Sequence, residues 1–262
     1  MASLKHATLF IDVAGKKTQI VKGGDGPPLV YLHSAGGETT WMPLHRGLAR
    51  HYTVYAPAHP GFDQSEGLPE IDGIDDVVWH YADLFEKLGL TQVPVVGFSL
   101  GAWIGVELAI RHPHLVSKLV MAAAAGLHVD GAPMGDLFTD DLGELRELVF
   151  FDPNGTIAQY ALPSSMTEDQ MLQTLRSREA TARVAWDPYL HDPQLPKHLH
   201  RVRCPVQLFW GRDDRLIPVE HGRRYEALIP DATLKVFDDT GHMLPLERTA
   251  EFVTATLEFL RE

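Results

Sequence analysis

The chain has 262 residues, which suits one large domain or one domain carrying an insertion. Apolar residues make up 45% and charged residues 22%, ordinary for a soluble globular protein, and a net charge of −12 argues against nucleic acid as a partner. A single cysteine, Cys204, excludes an internal disulfide and is compatible with a reducing compartment.

The N-terminus opens no secretory leader pattern, and no run of about 18 apolar residues could span a bilayer. A cytoplasmic location without membrane contact is therefore expected. No C-x-x-C, H-E-x-x-H or P-loop pattern occurs, so neither a metal nor an organic cofactor is expected.

In chain order, residues 7–13 and 18–22 read as a hairpin around Gly15-Lys16-Lys17. Residues 29–32 form a fully apolar strand, the kind buried on both faces, and end in His33-Ser34-Ala35-Gly36-Gly37. A helix over 40–50 and a strand over 52–56 follow, then the loop His59-Pro60-Gly61-Phe62-Asp63. Apolar residues at 74, 77, 78, 81, 84, 85 and 88 have helical spacing. Strands over 93–96 and 115–125 flank a helix over 100–111.

This alternation implies a parallel sheet with helices on both faces. It stops near Gly126. From there to about Arg201 the pattern is helical, with apolar residues at 138, 142, 145 and 149 and a capping box at Thr167–Gln170. The rhythm resumes with a strand over 205–211, a helix over 218–228, a strand over 233–237 and a last helix over 246–260. Residues 1–125 and 202–262 are thus expected to form one α/β core, and 126–201 a helical lid. An insertion of about 75 residues is usually functional rather than a passive loop.

Gly97-Phe98-Ser99-Leu100-Gly101 sits between the strand over 93–96 and the helix that follows. G-x-S-x-G in that context describes a strained strand-to-helix turn that lifts a serine hydroxyl above the sheet, at a helix N-terminus that favours negative charge. A serine nucleophile needs a base and a group to orient it. His242 lies in the loop after the last strand, on the sheet edge where Ser99 must lie. His33 and His59 share that edge, so topology leaves three histidines open. Gly211-Arg212-Asp213-Asp214 offers two adjacent carboxylates there.

The chain resembles the α/β-hydrolase fold superfamily, in its cap-bearing branch. The likeness rests on H-S-A-G-G, H-P-G-F-D-Q-S, G-F-S-L-G, G-R-D-D-R-L-I-P and D-T-G-H, and covers the chain outside the insertion. It implies a mostly parallel eight-stranded sheet with a helical cap. It implies Ser99 as nucleophile, His242 as base and, from the spacing to Gly211 and Pro218, Asp214 as acid. The oxyanion donors it implies are the backbone N–H groups of Leu100 and Ala35. Ser34 replaces the usual glycine and puts an extra hydroxyl near the site. His33, Ser34 and Met243 are candidate pocket residues, His33 more as a support for its loop.

Serine rather than aspartate at the elbow argues against dehalogenase and epoxide hydrolase chemistry. The first functional expectation is a carboxylic-ester hydrolase for a small to medium apolar acyl substrate, with no cofactor, a small molecule as sole partner and a homo-oligomer left open. The alternative is a carbon–carbon hydrolase of ring-cleavage diketones. Relatives of that kind typically carry a cap arginine, for which Arg176, Arg178 and Arg183 are candidates, and an aromatic residue where Met243 stands. A cofactor-free perhydrolase and a hydrolase-like ligand receptor complete the range.

Overall fold

The structure, a computed structural model, describes residues 5–261; residues 1–4, which bear on the leader reading, lie outside them. Eight strands form one sheet in the order β1-β2-β4-β3-β5-β6-β7-β8. These are β1 (His6–Val13), β2 (Lys16–Gly23), β3 (Pro28–Leu32), β4 (Thr53–Pro57), β5 (Val93–Phe98), β6 (Val116–Ala122), β7 (Val206–Gly211) and β8 (Ala232–Phe237). β2 runs antiparallel to both β1 and β4, and every other pairing is parallel. The expected mostly parallel eight-stranded sheet is therefore present.

The central strands are apolar because both of their faces are covered. Leu29, Val30, Tyr31 and Leu32 of β3 and Val95, Val96 and Phe98 of β5 are all at most 1% exposed. Helices α1 (Pro43–Leu48), α2 (Ile74–Leu88), α3 (Leu100–Arg111), α7 (Val219–Leu228), α8 (Leu244–Glu247) and α9 (Thr249–Arg261) supply the cover. In α2 the stripe Ile74, Val77, Val78, Tyr81, Leu84 and Phe85 is buried, acidic residues occupy the first turn, and Gly89 ends the helix in the left-handed region.

Between β6 and β7 the chain leaves the sheet and forms α4 (Leu142–Val149), α5 (Thr156–Ala161) and α6 (Glu168–Ala185). The stem of this segment closes on itself: Gly126 N–H donates to Leu190 O at 2.8 Å, and Asp192 N–H to Gly126 O at 3.1 Å. α6 begins where its capping box places it, with Thr167 Oγ1 accepting from Gln170 N–H and the Gln170 side chain accepting from Thr167 N–H.

Several element ends differ from expectation for local reasons. α1 begins only at Pro43, since proline suits a first helical turn. α4 starts at Leu142, beyond the first apolar position at 138, because Asp141 caps it, accepting from Gly143 N–H at 2.7 Å and Glu144 N–H at 3.2 Å. β6 ends at Ala122 because Ala123 turns to φ 45°. The last helix is two, broken at Arg248. α5 has no sequence signal of its own: it is six residues long and buries only Ala158.

Candidate active site

Ser99 occupies the tip of the turn from β5 to α3 with φ 53° and ψ −112°, a conformation that costs a non-glycine residue about 1–3 kcal/mol. The surroundings hold it there. Ser99 N–H donates to Ala122 O at 2.8 Å, and Ser99 O accepts from Ala102 N–H at 3.1 Å. Gly101 is required: a Cβ at that position would stand 2.2 Å from Leu32 O and 2.5 Å from His33 O. The first turn of α3 is thereby pressed against the end of β3, and the serine turn and the His33–Gly37 loop share one boundary.

Of the three histidines on this edge, the structure brings His242 to the serine. His242 Nε2 is 3.1 Å from Ser99 Oγ, and His242 Nδ1 is 2.8 Å from Asp214 Oδ2. The ring is 3% exposed and the carboxylate not at all. Asp214 Oδ1 is also occupied, accepting from Leu216 N–H at 3.0 Å and Ile217 N–H at 2.8 Å. Asp214 can thus only accept from His242, which fixes the proton on Nδ1 and leaves Nε2 free to accept from the Ser99 hydroxyl. Asp213 is only half-buried and its backbone N–H donates to Thr240 O at 2.9 Å.

His33 and His59 are also buried, and their bonds assign their tautomers. The Tyr81 hydroxyl donates to His59 Nδ1, and His59 Nε2–H donates to His33 O at 2.8 Å. His59 N–H donates to His33 Nε2 at 2.9 Å, and His33 Nδ1–H donates to Ser34 O at 2.6 Å. Burial keeps both rings neutral, pushing the pKa of His33 down to about 4 and that of His59 well below its usual value. With both nitrogens engaged and the ring 1% exposed, His33 has no atom free for a substrate. It supports its loop from behind, which corrects its place among the pocket candidates.

Ser34 is buried as well, and its hydroxyl is engaged: it donates to the Glu38 carboxylate at 2.8 Å and accepts from Gly36 N–H at 2.9 Å. Sequence reasoning missed Glu38 altogether. The N–H groups of Ala35 and Leu100 have no protein acceptor among the described residues. Met243, partly exposed beside His242, is anchored through its N–H to Val149 O at 2.9 Å.

The segment 126–201 reaches the loops of Asp214 and His242. Arg215 Nη1 donates to Glu147 O at 2.7 Å. Glu247 accepts from Gly241 N–H at 2.9 Å and from Phe151 N–H at 2.8 Å, and its burial raises its carboxyl above the usual range. On the opposite side, a cavity of about 150 Å³ lies between Gly36, Gly37 and Asp63 of the core and Gln170, Gln173 and Ser177 of the insertion. None of the three candidate arginines offers a free buried charge: Arg176 is exposed, Arg178 pairs with Asp140 at 3.1 Å, and Arg183 with Glu179 at 3.4 Å.

An eight-stranded sheet of this order, with a buried serine, histidine and aspartate at its strand ends, defines a hydrolase-type fold with the geometry for nucleophilic attack by Ser99. The chain belongs to the Alpha/beta hydrolase family, whose profile matches residues 29–255. It is 28% identical over 268 residues to a 2-hydroxy-6-oxo-6-(2'-aminophenyl)hexa-2,4-dienoic acid hydrolase of Metapseudomonas resinovorans, covering 96% of this chain and 90% of the relative. It is 27% identical to a 2-hydroxy-6-oxo-2,4-heptadienoate hydrolase of Pseudomonas putida, covering 94% and 93%. Among solved structures, a serine hydrolase involved in carbazole degradation superposes with a TM-score of 0.80 at 25% identity, covering 98% of this chain and 99% of that one. Among the described residues no helix is long and apolar enough to cross a membrane.

Proposed function

We propose that this chain is a serine-dependent hydrolase that cleaves a carbon–carbon bond beside a carbonyl in a dienoate-type diketone. The observation that carries this reading is the near-complete alignment with relatives named for that reaction, on a chain whose Ser99–His242–Asp214 geometry suits it. The order of preference drawn from sequence, ester first, is thereby reversed.

Ser99 Oγ attacks the carbonyl carbon while His242 Nε2 takes its proton. The N–H groups of Leu100 and Ala35 receive the oxyanion. In the diketo tautomer, reached by moving the 2-hydroxyl proton to the carbon beside the attacked carbonyl, collapse expels that carbon as a conjugated enolate, which His242 protonates. Water, activated by His242, then releases the acyl group from Ser99. Residues 126–201 act as a lid that sets which substrates enter.

Ester hydrolysis is the second reading, and one observation favours it. A dienoate carries a carboxylate, yet the three candidate arginines are paired with acidic residues or exposed, and the cavity at the lid presents Asp63 with no basic side chain. The test gives the protein 2-hydroxy-6-oxo-6-phenylhexa-2,4-dienoate and, separately, p-nitrophenyl butyrate. The first reading expects multiple turnovers of the dienoate that vanish in Ser99→Ala. Fast ester turnover with an inert dienoate would replace it with the second.

A further inference from the structure

Ala35 N–H can serve as an oxyanion donor only if the turn that carries it keeps one direction. The usual residue before it in this family is glycine, whereas here it is Ser34, and every polar atom of Ser34 is engaged. Its carbonyl accepts from His33 Nδ1–H at 2.6 Å and Gly37 N–H at 3.2 Å. Its own N–H donates to Glu38 Oε2 at 3.0 Å, and its hydroxyl to both carboxylate oxygens at 2.8 Å. Gly36 N–H donates back to that hydroxyl at 2.9 Å. Position 36 leaves room for this arrangement, since a Cβ there would stand 2.6 Å from Glu38 Oε1. The peptide between Ser34 and Ala35 is therefore held through its carbonyl by His33 and Gly37, and the residue that precedes it in the turn is held through its N–H and hydroxyl by Glu38.

We propose that Glu38 is a positioning residue for the oxyanion donor Ala35, its carboxylate closing on the N–H and hydroxyl of Ser34 and so fixing the turn between them. A carboxylate meets the two donors of Ser34 with two separate oxygens, and such charge-assisted bonds are the stronger kind. Burial is the largest influence on this carboxyl and raises its pKa, while the Ser34 bonds and the nearby His242 oppose that rise. Removing Glu38 leaves the Ser34 hydroxyl and N–H without an acceptor, and the turn free to reorient. The inference uses the nucleophile assignment made under Proposed function but not the choice between carbon–carbon and ester bonds.

The test compares wild type with Glu38→Gln, Glu38→Ala, Ser34→Ala and the double variant Ser34→Ala/Glu38→Ala. Active sites are titrated with a fluorophosphonate, whose phosphorus bonds to Ser99 Oγ as fluoride leaves and the serine proton passes to His242. Loss of one whole oxyanion donor costs roughly 10²–10³ in turnover, so loss of its support should cost on the order of 10–10². Glu38→Ala should lower kcat per titrated site on p-nitrophenyl butyrate by about that factor. KM should change less than about threefold, since the oxyanion forms only in the transition state. Phosphonylation of Ser99 should slow in the same ratio. Glu38→Gln keeps one acceptor oxygen and should fall between the two, and the double variant should lose little more than Glu38→Ala. A merely structural role would lower the folded fraction and Tm while leaving kcat per titrated site unchanged. That result, in Glu38→Ala or, should it not fold, in Glu38→Gln, overturns the proposal, as does a fully additive double variant. Failure of the wild type to label at Ser99 overturns the nucleophile assignment and this inference together.

Discussion

Replacing Asp214 by asparagine sets two opposing demands on one side chain. Oδ1 accepts from Leu216 N–H and Ile217 N–H, and Oδ2 accepts from His242 Nδ1–H. An amide has one oxygen for these two places. If its oxygen faces His242, the NH₂ group meets two backbone donors, and two buried N–H groups lose their acceptor at about 1–3 kcal/mol each. If the oxygen faces Leu216 and Ile217, the NH₂ group donates to His242 Nδ1, which must then give up its proton. The second costs less, so it prevails, and His242 carries its proton on Nε2, facing the Ser99 hydroxyl it should deprotonate. The wrong tautomer in such a triad lowers turnover by roughly 10⁴, or about 5.4 kcal/mol. The assay is kcat on a p-nitrophenyl ester, with Tm alongside; the fold should persist. Asp213→Asn, at a half-buried side chain outside this set, should change kcat less than about threefold. Asp214→Asn within tenfold of wild type, or a larger loss in Asp213→Asn, would refute the assignment.

Ser99→Ala should abolish turnover by roughly 10⁶. Ser99→Gly should be equally inactive yet melt higher than Ser99→Ala, because φ 53° with ψ −112° strains alanine but suits glycine; equal Tm values would show that the turn stores no strain. Stability should fall on acidification. Burial depresses the folded pKa of His33 and His80 to about 4 and of His45 to about 3, with His59 lower still than its usual 6.5. The unfolded chain binds more protons below about pH 6.5, so this stability is complete above that pH and is lost as pH falls toward the folded values, at up to about 1.4 kcal/mol per pH unit for each histidine. Glu38, Glu107 and Glu247, raised by burial, titrate in the opposite sense and soften the slope. Calorimetry at pH 7 and pH 5 should give a clearly lower Tm at pH 5; a flat Tm would contradict the neutral state of these rings.

The sheet was legible because strands buried on both faces are written as short apolar runs, and because such strands alternate with helices of period 3.6. The turn at Ser99 could be read from two glycines: a Cβ at Gly97 would meet Gly101 O and Ala102 Cα at 2.5 Å, a steric demand local in sequence, whereas the demand at Gly101 comes from the distant end of β3. Choosing His242 among three histidines needed family likeness; distance settles it only in three dimensions, since Ser99 lies 143 residues away. Glu38 left no trace beyond the odd serine at position 34. Its role depends on a loop that folds back over four residues, and no periodicity reports such a turn. α5 was invisible because six residues with one buried side chain carry too little pattern to register.

The bonds from Val149, Phe151 and Glu147 into the loops of His242 and Asp214 bear on recombination between relatives. The insertion is not a detachable unit bounded by residues 126 and 201. Its first part, through Phe151, is wired to the acid–base side, whereas α5 and α6 face the cleft from the other side and share with the core a cavity at Gly36 and Gly37. A chimaera joined at Gly126 must therefore rebuild the acid–base loops along with the substrate opening. One joined after Phe151 and before Leu190 keeps the bonds to the loops of His242 and Asp214 while importing a foreign entrance, provided the import replaces the partners that Leu162 and Arg178 give to Arg146 and Asp140.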